Sequence, residues 1–265
     1  MMTIYKKLKR WLKISQRKLC SLGDVYKLRL AKKFMKQFDE ETSCHFIYKN
    51  KVVFMPDIGG VTSQHYQRGI FYEMGMLEAI RAEAKSGTYL DVGANIRIYA
   101  LIVAKNLPNI KIDAFEPHIG AFERMEANIR QNGFSKIIQS HNLALSNENK
   151  KGYLLASTRF GTYQSGGASI SPEGEMKISQ VRGDDLIKDV DSIIAIKIDV
   201  EGFELSVLQG TENLIKNNKI FLQIEIFDEK LSETSKFLED FNFKLIEKGT
   251  FTHQDTVKDY FYINF

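Results

Sequence analysis

The segment Tyr89-Leu90-Asp91-Val92-Gly93-Ala94-Asn95 decides how the chain is read. A short apolar run that ends on a carboxylate and a glycine turn, directly before helical spacing, describes a strand entering a helix at the ligand edge of an open parallel sheet. The turn lets a ligand approach backbone N–H groups at a helix N-terminus, and the acid beside it can hold an ammonium group. A G-x-G-x-x-G fingerprint would need glycines where Asn95 and Ile98 stand, and no G-K-[ST] phosphate loop occurs, so NAD and nucleoside triphosphates are disfavoured.

Working outward, strand and helix alternate in the way that predicts a parallel sheet with crossover helices. Strands are expected at 89–92, 111–115, 137–140, 192–198, 220–226, 243–247 and 260–264. Helices are expected at 96–106, 120–132, 204–217 and 231–240. The fold class is therefore α/β: a Rossmann-like, doubly wound, mostly parallel seven-stranded sheet. Residues 147–191 break the alternation, with glycines at 152, 161, 166, 167 and 174, and read as an inserted hairpin and loop. With Arg159 and Tyr163, that insertion is the expected acceptor-binding lid. Asp184 and Asp185 within it are expected to cap the short helix before the fourth strand.

Before the sheet, residues 1–42 form a basic helical arm and 43–86 a hairpin and helix leading into the main domain at 87–265. The hairpin is expected over 45–54, turning at Lys49, Asn50 and Lys51, and the helix over 71–85. Residues 1–40 carry twelve Lys or Arg against three acids, a local +9 within a total of +4, which leaves −5 for residues 41–265. Ile4, Leu8, Trp11, Leu12, Leu19 and Leu22 form an apolar stripe among those lysines. Peripheral contact of residues 1–36 with an anionic membrane is one expectation, and packing of that stripe on the body or on a second subunit is the other. A −5 body without a flipped-base motif argues against nucleic acid.

The composition, 43% apolar and 26% charged over 265 residues, suits a globular chain with one large core. The apolar run through Tyr99–Ala104 falls far short of the roughly 20 residues of a membrane-spanning helix. No secretory leader is expected either. Cys20 and Cys44 are too few and too far apart for a disulfide framework or a C-x-x-C site, and a cytoplasmic location is expected.

The second strand ends in Ala114-Phe115-Glu116-Pro117, and Glu116 lies 25 residues past Asp91. A carboxylate at that strand tip can accept both hydroxyls of a ribose. With Asp91 at an aminoacyl end, the two acids describe S-adenosylmethionine. The cofactor-binding set is Asp91, Gly93, Ala94, Asn95, Glu116 and Pro117.

Asp91-Val-Gly-Ala-Asn-Ile96, Ala114-Phe-Glu-Pro117, Asn128-Ile-x-x-Asn132 and Ile196-Lys-Ile-Asp-Val-Glu-Gly202, the last followed by Glu204 and Leu208-Gln-Gly210, resemble the FkbM-type methyltransferase family in order and spacing over roughly residues 70–227. The resemblance implies an S-adenosylmethionine-dependent O-methyltransferase acting on a hydroxyl of a sugar, glycolipid or polysaccharide precursor. Arg97 stands where the family turn has a glycine. A cation there opposes the helix dipole by about 0.3 to 1 kcal/mol. A non-catalytic binding module whose cofactor site Arg97 has degraded is thus the alternative reading.

A sugar hydroxyl is a poor nucleophile, and a base at a strand end would assist its methylation. Asp199 is the first candidate for base or acceptor anchor and Glu201 the second, both expected on one face of their strand with Val200 on the other. The same acids with Glu225 could hold a divalent cation, but no metal is assigned. Lys197 is a candidate structural partner for one of them. His118 and His141 follow strands and could reach the pocket, the plainer reading being solvated loop histidines.

Overall fold

The computed structural model describes residues 46–48, 52–54, 87–95, 98–107, 109–159, 162–248 and 257–265. The basic arm, the 71–85 helix, Arg97 and the boundary between the two N-terminal segments lie outside the described residues. Within them, β1 (Phe46–Tyr48) and β2 (Val52–Phe54) pair antiparallel with Phe46 opposite Phe54, the expected hairpin.

The main sheet contains β3 (Gly87–Val92), β4 (Ile110–Phe115), β5 (Ile138–His141), β10 (Ile193–Ile198), β11 (Lys219–Phe227), β12 (Lys244–Lys248) and β13 (Val257–Ile263). Their spatial order is β12-β13-β11-β10-β3-β4-β5. Neighbours from β11 to β5 run parallel, while β13 is antiparallel to both β11 and β12. This is the seven-stranded, mostly parallel, doubly wound sheet that the alternation predicts. Chain order reverses direction between β3 and β10, and a ligand crevice belongs beyond the carboxyl ends of those strands.

Each face of the sheet has its own core, because strand side chains alternate while the strands are buried on both sides. Tyr89, Ala195, Phe221 and Phe261 point to one face, with Ala100, Leu101 and Val103 of α1 (Ile98–Asn106) and Met125 and Ile129 of α2 (Ile119–Gln131). Leu90, Ile194, Ile196, Leu222 and Ile224 point to the other, with Val207 and Leu208 of α4 (Glu204–Gln209), Leu214 and Ile215 of α5 (Glu212–Lys216) and Leu238 of α6 (Leu231–Asp240). A short 3-10 turn, Asp228–Lys230, leads into α6. Each fully buried Leu or Ile contributes about 1.5 to 3 kcal/mol through burial.

Two expectations need correction. The 147–191 stretch holds more than the expected hairpin and loop: the hairpin of β7 (Lys150–Arg159) and β8 (Thr162–Ile170) joins β9 (Met176–Arg182) and, from just before the stretch, β6 (Ala144–Ser146) in a second sheet of order β6-β9-β7-β8. Its core is small, Ala144, Leu154 and Ile178 with Ile170 and Met176 against them, so its hydrophobic signal in the sequence is weak. The single helix expected at 204–217 is two, broken at Gly210. A Cβ on Gly210 would lie 1.8 Å from the Ser146 carbonyl oxygen, and that close approach to β6 is where the chain turns.

Asp184 explains how the second of those helices begins. It sits in the four-residue helix α3 (Gly183–Leu186), but its carboxylate accepts the backbone N–H groups of Asn213 and Leu214 at 3.1 and 3.0 Å. It therefore caps α5, about 30 residues away, rather than the helix that contains it, while Asp185 accepts a hydrogen bond from Asn149. Asp184→Ala strands two N–H donors and is expected to cost about 1 to 3 kcal/mol in urea unfolding. The exposed Asp185→Ala should stay within about 0.5 kcal/mol.

Candidate functional site

The turn after β3 is built against its neighbours. Gly93 adopts φ +79° and donates its N–H, as Ala94 does, to the Phe115 carbonyl at 3.1 and 3.0 Å. A Cβ on Gly93 would lie 1.8 Å from the Asp199 carbonyl oxygen, so only glycine fits between the two strand ends. Asn95, itself at φ +48°, donates its N–H to Glu116 Oε2 at 2.8 Å. The N–H groups of this turn therefore tie β3 to β4, and those of Gly93, Ala94 and Asn95 are already engaged within the protein. That corrects the expectation that they face a ligand.

Glu116 is fixed from both sides. Its Oε1 accepts the His118 N–H at 2.7 Å, and the Asn142 amide holds the carbonyls of Glu116 and Pro117 at 2.9 and 3.1 Å. A carboxylate held in this way at a strand tip suits acceptance of two vicinal hydroxyls. The cleft beyond the strand ends is walled by Gly93, Asn95, Glu116 and Pro117 on one side and by Asp199 and Glu201 on another. Leu154 and Ile170 of the second sheet line it as well, which places the insertion over the cleft.

Asp91 is placed differently. It is wholly buried and is absent from the described cleft wall, as is Ala94. The reason is alternation along β3: Val92 faces the cleft, so Asp91 points to the face covered by α1, in register with Lys197 of β10. The expectation of an open Asp91 at the strand tip does not hold in this structure.

β10 ends at Ile198, so Asp199, Val200 and Glu201 lie in the turn beyond it and all three line the cleft. The expected alternation of Asp199 and Glu201 against Val200 stops where the strand does. Glu201 at φ +53° and Gly202 at φ +95° reverse the chain into α4, where Glu204 accepts the Gly202 N–H at 2.9 Å. A non-glycine residue held left-handed costs of order 1 to 3 kcal/mol and is typical of functional turns. Lys197, only 3% exposed, places its ammonium 2.8 Å from Asp199 Oδ2 and 4.7 Å from the centre of the Tyr99 ring.

Asp199, Glu201 and Glu225 bring carboxylate oxygens within 4.8 Å of one another. The Lys197 ammonium supplies counter-charge to this group. Burial, with the charges of Asp199 and Glu204 adding to it, pushes Glu201 up to about 8 against the pull of Lys197. Burial and Asp199 likewise push Asp259 of β13 up to about 7, against Lys197 and a long hydrogen bond from Gln223.

His118 and His141 have structural partners. His118, buried, accepts the Ala121 N–H on Nδ1 at 3.2 Å and caps α2. His141 stacks on Phe115 and bonds Asp113 at 2.9 Å. Burial alone would raise the Asp113 carboxyl, and His141 with Lys111 more than offsets it, holding Asp113 below its usual value. Neither is the solvated loop residue of the plainer reading. His118 stands directly before α2 because that helix starts at Ile119, one residue earlier than expected.

The raised acids make a pH signature. Between the ordinary carboxyl value and the raised one the folded state retains a proton that the unfolded state has lost, so stability falls as pH rises through that window. For Glu201 the window runs from 4.5 to about 8, and for Asp259 from 3.8 to about 7. Melting temperatures of Glu201→Gln and Asp259→Asn should gain on the unaltered protein as pH rises from 5 to 8. A difference independent of pH would contradict the assignment.

The family described as Methyltransferase FkbM domain matches residues 91–245, more than half of the chain. Among characterised proteins, the hexuronic acid methyltransferase AglP of Haloferax volcanii is 29% identical over 157 residues, covering 58% of this chain and 62% of its own length. The chain thus spans less than two thirds of that relative. Solved structures with a similar fold include the Bacillus subtilis m1A22 tRNA methyltransferase TrmK, at 13% identity and TM-score 0.43 over 71% of this chain and 64% of that one. The precorrin-6y C5,15-methyltransferase of Geobacter metallireducens is similar at 14% identity and TM-score 0.42, over 71% and 86%.

Proposed function

We propose that this chain, which belongs to the FkbM methyltransferase family, transfers a methyl group from S-adenosylmethionine to a hydroxyl of a sugar, glycolipid or polysaccharide precursor. The observation that carries the reading is the placement of a doubly anchored Glu116 and of Asp199 on two walls of one cleft. AglP, named for a hexuronic acid, supports a sugar-related acceptor.

The residues fit the cofactor through their chemistry. Glu116, held by two backbone N–H groups on the cleft wall, is the carboxylate that would take the ribose diol, with Gly93, Asn95 and Pro117 beside it. Asp91 and Ala94 stand behind the turn, away from the cleft wall, with Asp91 buried. When bound, the cofactor supplies an electrophilic methyl group and leaves as a neutral thioether. The chain's part is to align an acceptor oxygen and keep water out, and Leu154, Ile170 and Phe203 on the cleft wall serve the second need. Asp199 takes the hydroxyl proton as the acceptor oxygen gains its methyl group, and Glu201, protonated at neutral pH, donates a hydrogen bond to the acceptor.

Contact of residues 1–36 with an anionic membrane rests on the sequence pattern alone. Among the described residues no helix is long and apolar enough to cross a membrane.

Two measurements test the reading. Calorimetric titration with S-adenosylhomocysteine should show binding by the unaltered chain and at least a tenfold loss in Glu116→Ala. Radiolabelled methyl transfer onto a panel of neutral sugars and uronic acids should fall by about 10²- to 10⁴-fold in Asp199→Asn, with binding of S-adenosylhomocysteine preserved. No binding by the unaltered chain, or full turnover by Asp199→Asn, would overturn it.

A further inference from the structure

Lys197 occupies an unusual place for an ammonium group. It lies in the middle of the sheet, on β10, with Asp91 of β3 and Gln223 of β11 as its register neighbours. It is 3% exposed, and its side chain runs toward the carboxyl end of the strand to meet Asp199 Oδ2 at 2.8 Å, with the Tyr99 ring of α1 under the ammonium. Taking a lysine out of water costs several kcal/mol unless a charge of opposite sign compensates it. A lysine used only to fill this volume could be replaced by an apolar side chain of similar size, such as methionine or leucine. Its position is explained by what it does to Asp199.

We propose that Lys197 is a positioning residue: by holding Asp199 Oδ2 it keeps that carboxylate ionised and turns the other oxygen, Oδ1, toward the acceptor hydroxyl. This rests on the methyl-transfer reading above and adds to it which of the clustered acids is the base. Asp199 and Glu201 approach Lys197 from the turn after β10, Glu204 from α4, Asp91 from β3, Glu225 from β11 and Asp259 from β13. Several carboxylates this close do not all ionise together, and the first to lose its proton is the one in contact with the ammonium. Glu201, pushed up by burial and then by the Asp199 charge, keeps its proton. Lys197 thereby divides the acids into one acceptor and one donor of hydrogen bonds, the pair that a sugar hydroxyl needs on its two sides.

The test uses Lys197→Met, Lys197→Arg, Asp199→Asn and the Lys197→Met/Asp199→Asn pair in the full chain. Lys197→Met should lower kcat about 10- to 100-fold while the affinity for S-adenosylhomocysteine stays within about twofold. Lys197→Arg, which keeps the charge, should recover most of that loss. Added to Asp199→Asn, Lys197→Met should cost nothing further, because it acts through Asp199. A readout independent of any acceptor is the ¹³C titration of the Asp199 carboxylate, assigned by its disappearance in Asp199→Asn, which should move to higher pH in Lys197→Met. An unmoved titration, or losses that multiply in the pair, would overturn the proposal. Failure of the unaltered chain to bind S-adenosylhomocysteine would instead refute the methyl-transfer reading, and the carboxylate titration would still decide the role of Lys197.

Discussion

The contact on which the site depends is between two strand ends that leave no room for a side chain. Gly93 sits where a Cβ would lie 1.8 Å from the Asp199 carbonyl oxygen, and the Asp199 N–H in turn bonds the Val92 carbonyl at 3.1 Å. That approach joins the turn after β3 to the turn after β10 at the point where the chain order of the sheet reverses. The N–H groups of Gly93 and Ala94, bonded to Phe115, bind the same turn to β4. Three consecutive strand ends are thereby locked in one geometry, and Glu116, Asp199 and Glu201 take their places from it. Any ligand held by Glu116 is placed relative to Asp199 by backbone contacts, which are stiffer than side-chain ones.

What could be read from the sequence follows the strength of the hydrophobic signal. The strands of the main sheet are buried on both faces, so runs such as Ile193–Ile198 and Ile220–Ile226 stand out as apolar and β-branched, and their edges fall within a few residues of those observed. The second sheet buries little, and its strands carry lysines, serines and glycines, so its pattern resembles loop. The break at Gly210 depends on a contact with Ser146, 64 positions earlier in the chain, which no local periodicity reveals. Asp184 is similar: an acid in the first turn of a helix reads as the cap of that helix, yet the donors it serves belong to another.

The site was legible in kind and less so in orientation. A carboxylate at the tip of β4 and two more after β10 can be placed from strand and turn signals, and the cleft unites them. Alternation then misplaces what lies at the very ends. Asp91 is one residue short of the end of β3 and therefore faces α1, whereas Asp199 and Glu201 have left β10 altogether and are aimed by turn geometry, with Glu201 left-handed. The decisive variable is where each strand stops, which hydrophobic patterning locates only to within a residue or two.

The buried charges show why such a site costs stability and is kept. Lys197, Asp259 and Glu204 are each no more than 3% exposed, and each would be better solvated in the unfolded chain. An apolar replacement of the Lys197–Asp199 pair would pack at least as well by the general behaviour of buried ion pairs. Glu204 is satisfied by the Gly202 N–H and so has a structural reason to be there. Lys197 and Asp259 approach Asp199 from β10 and β13. A fold selected for stability alone would not set a lysine and an aspartate into the middle of its main sheet beside an acid that lines the cleft. The desolvation they bear fits the proposed part of Lys197 in setting the charge state of Asp199.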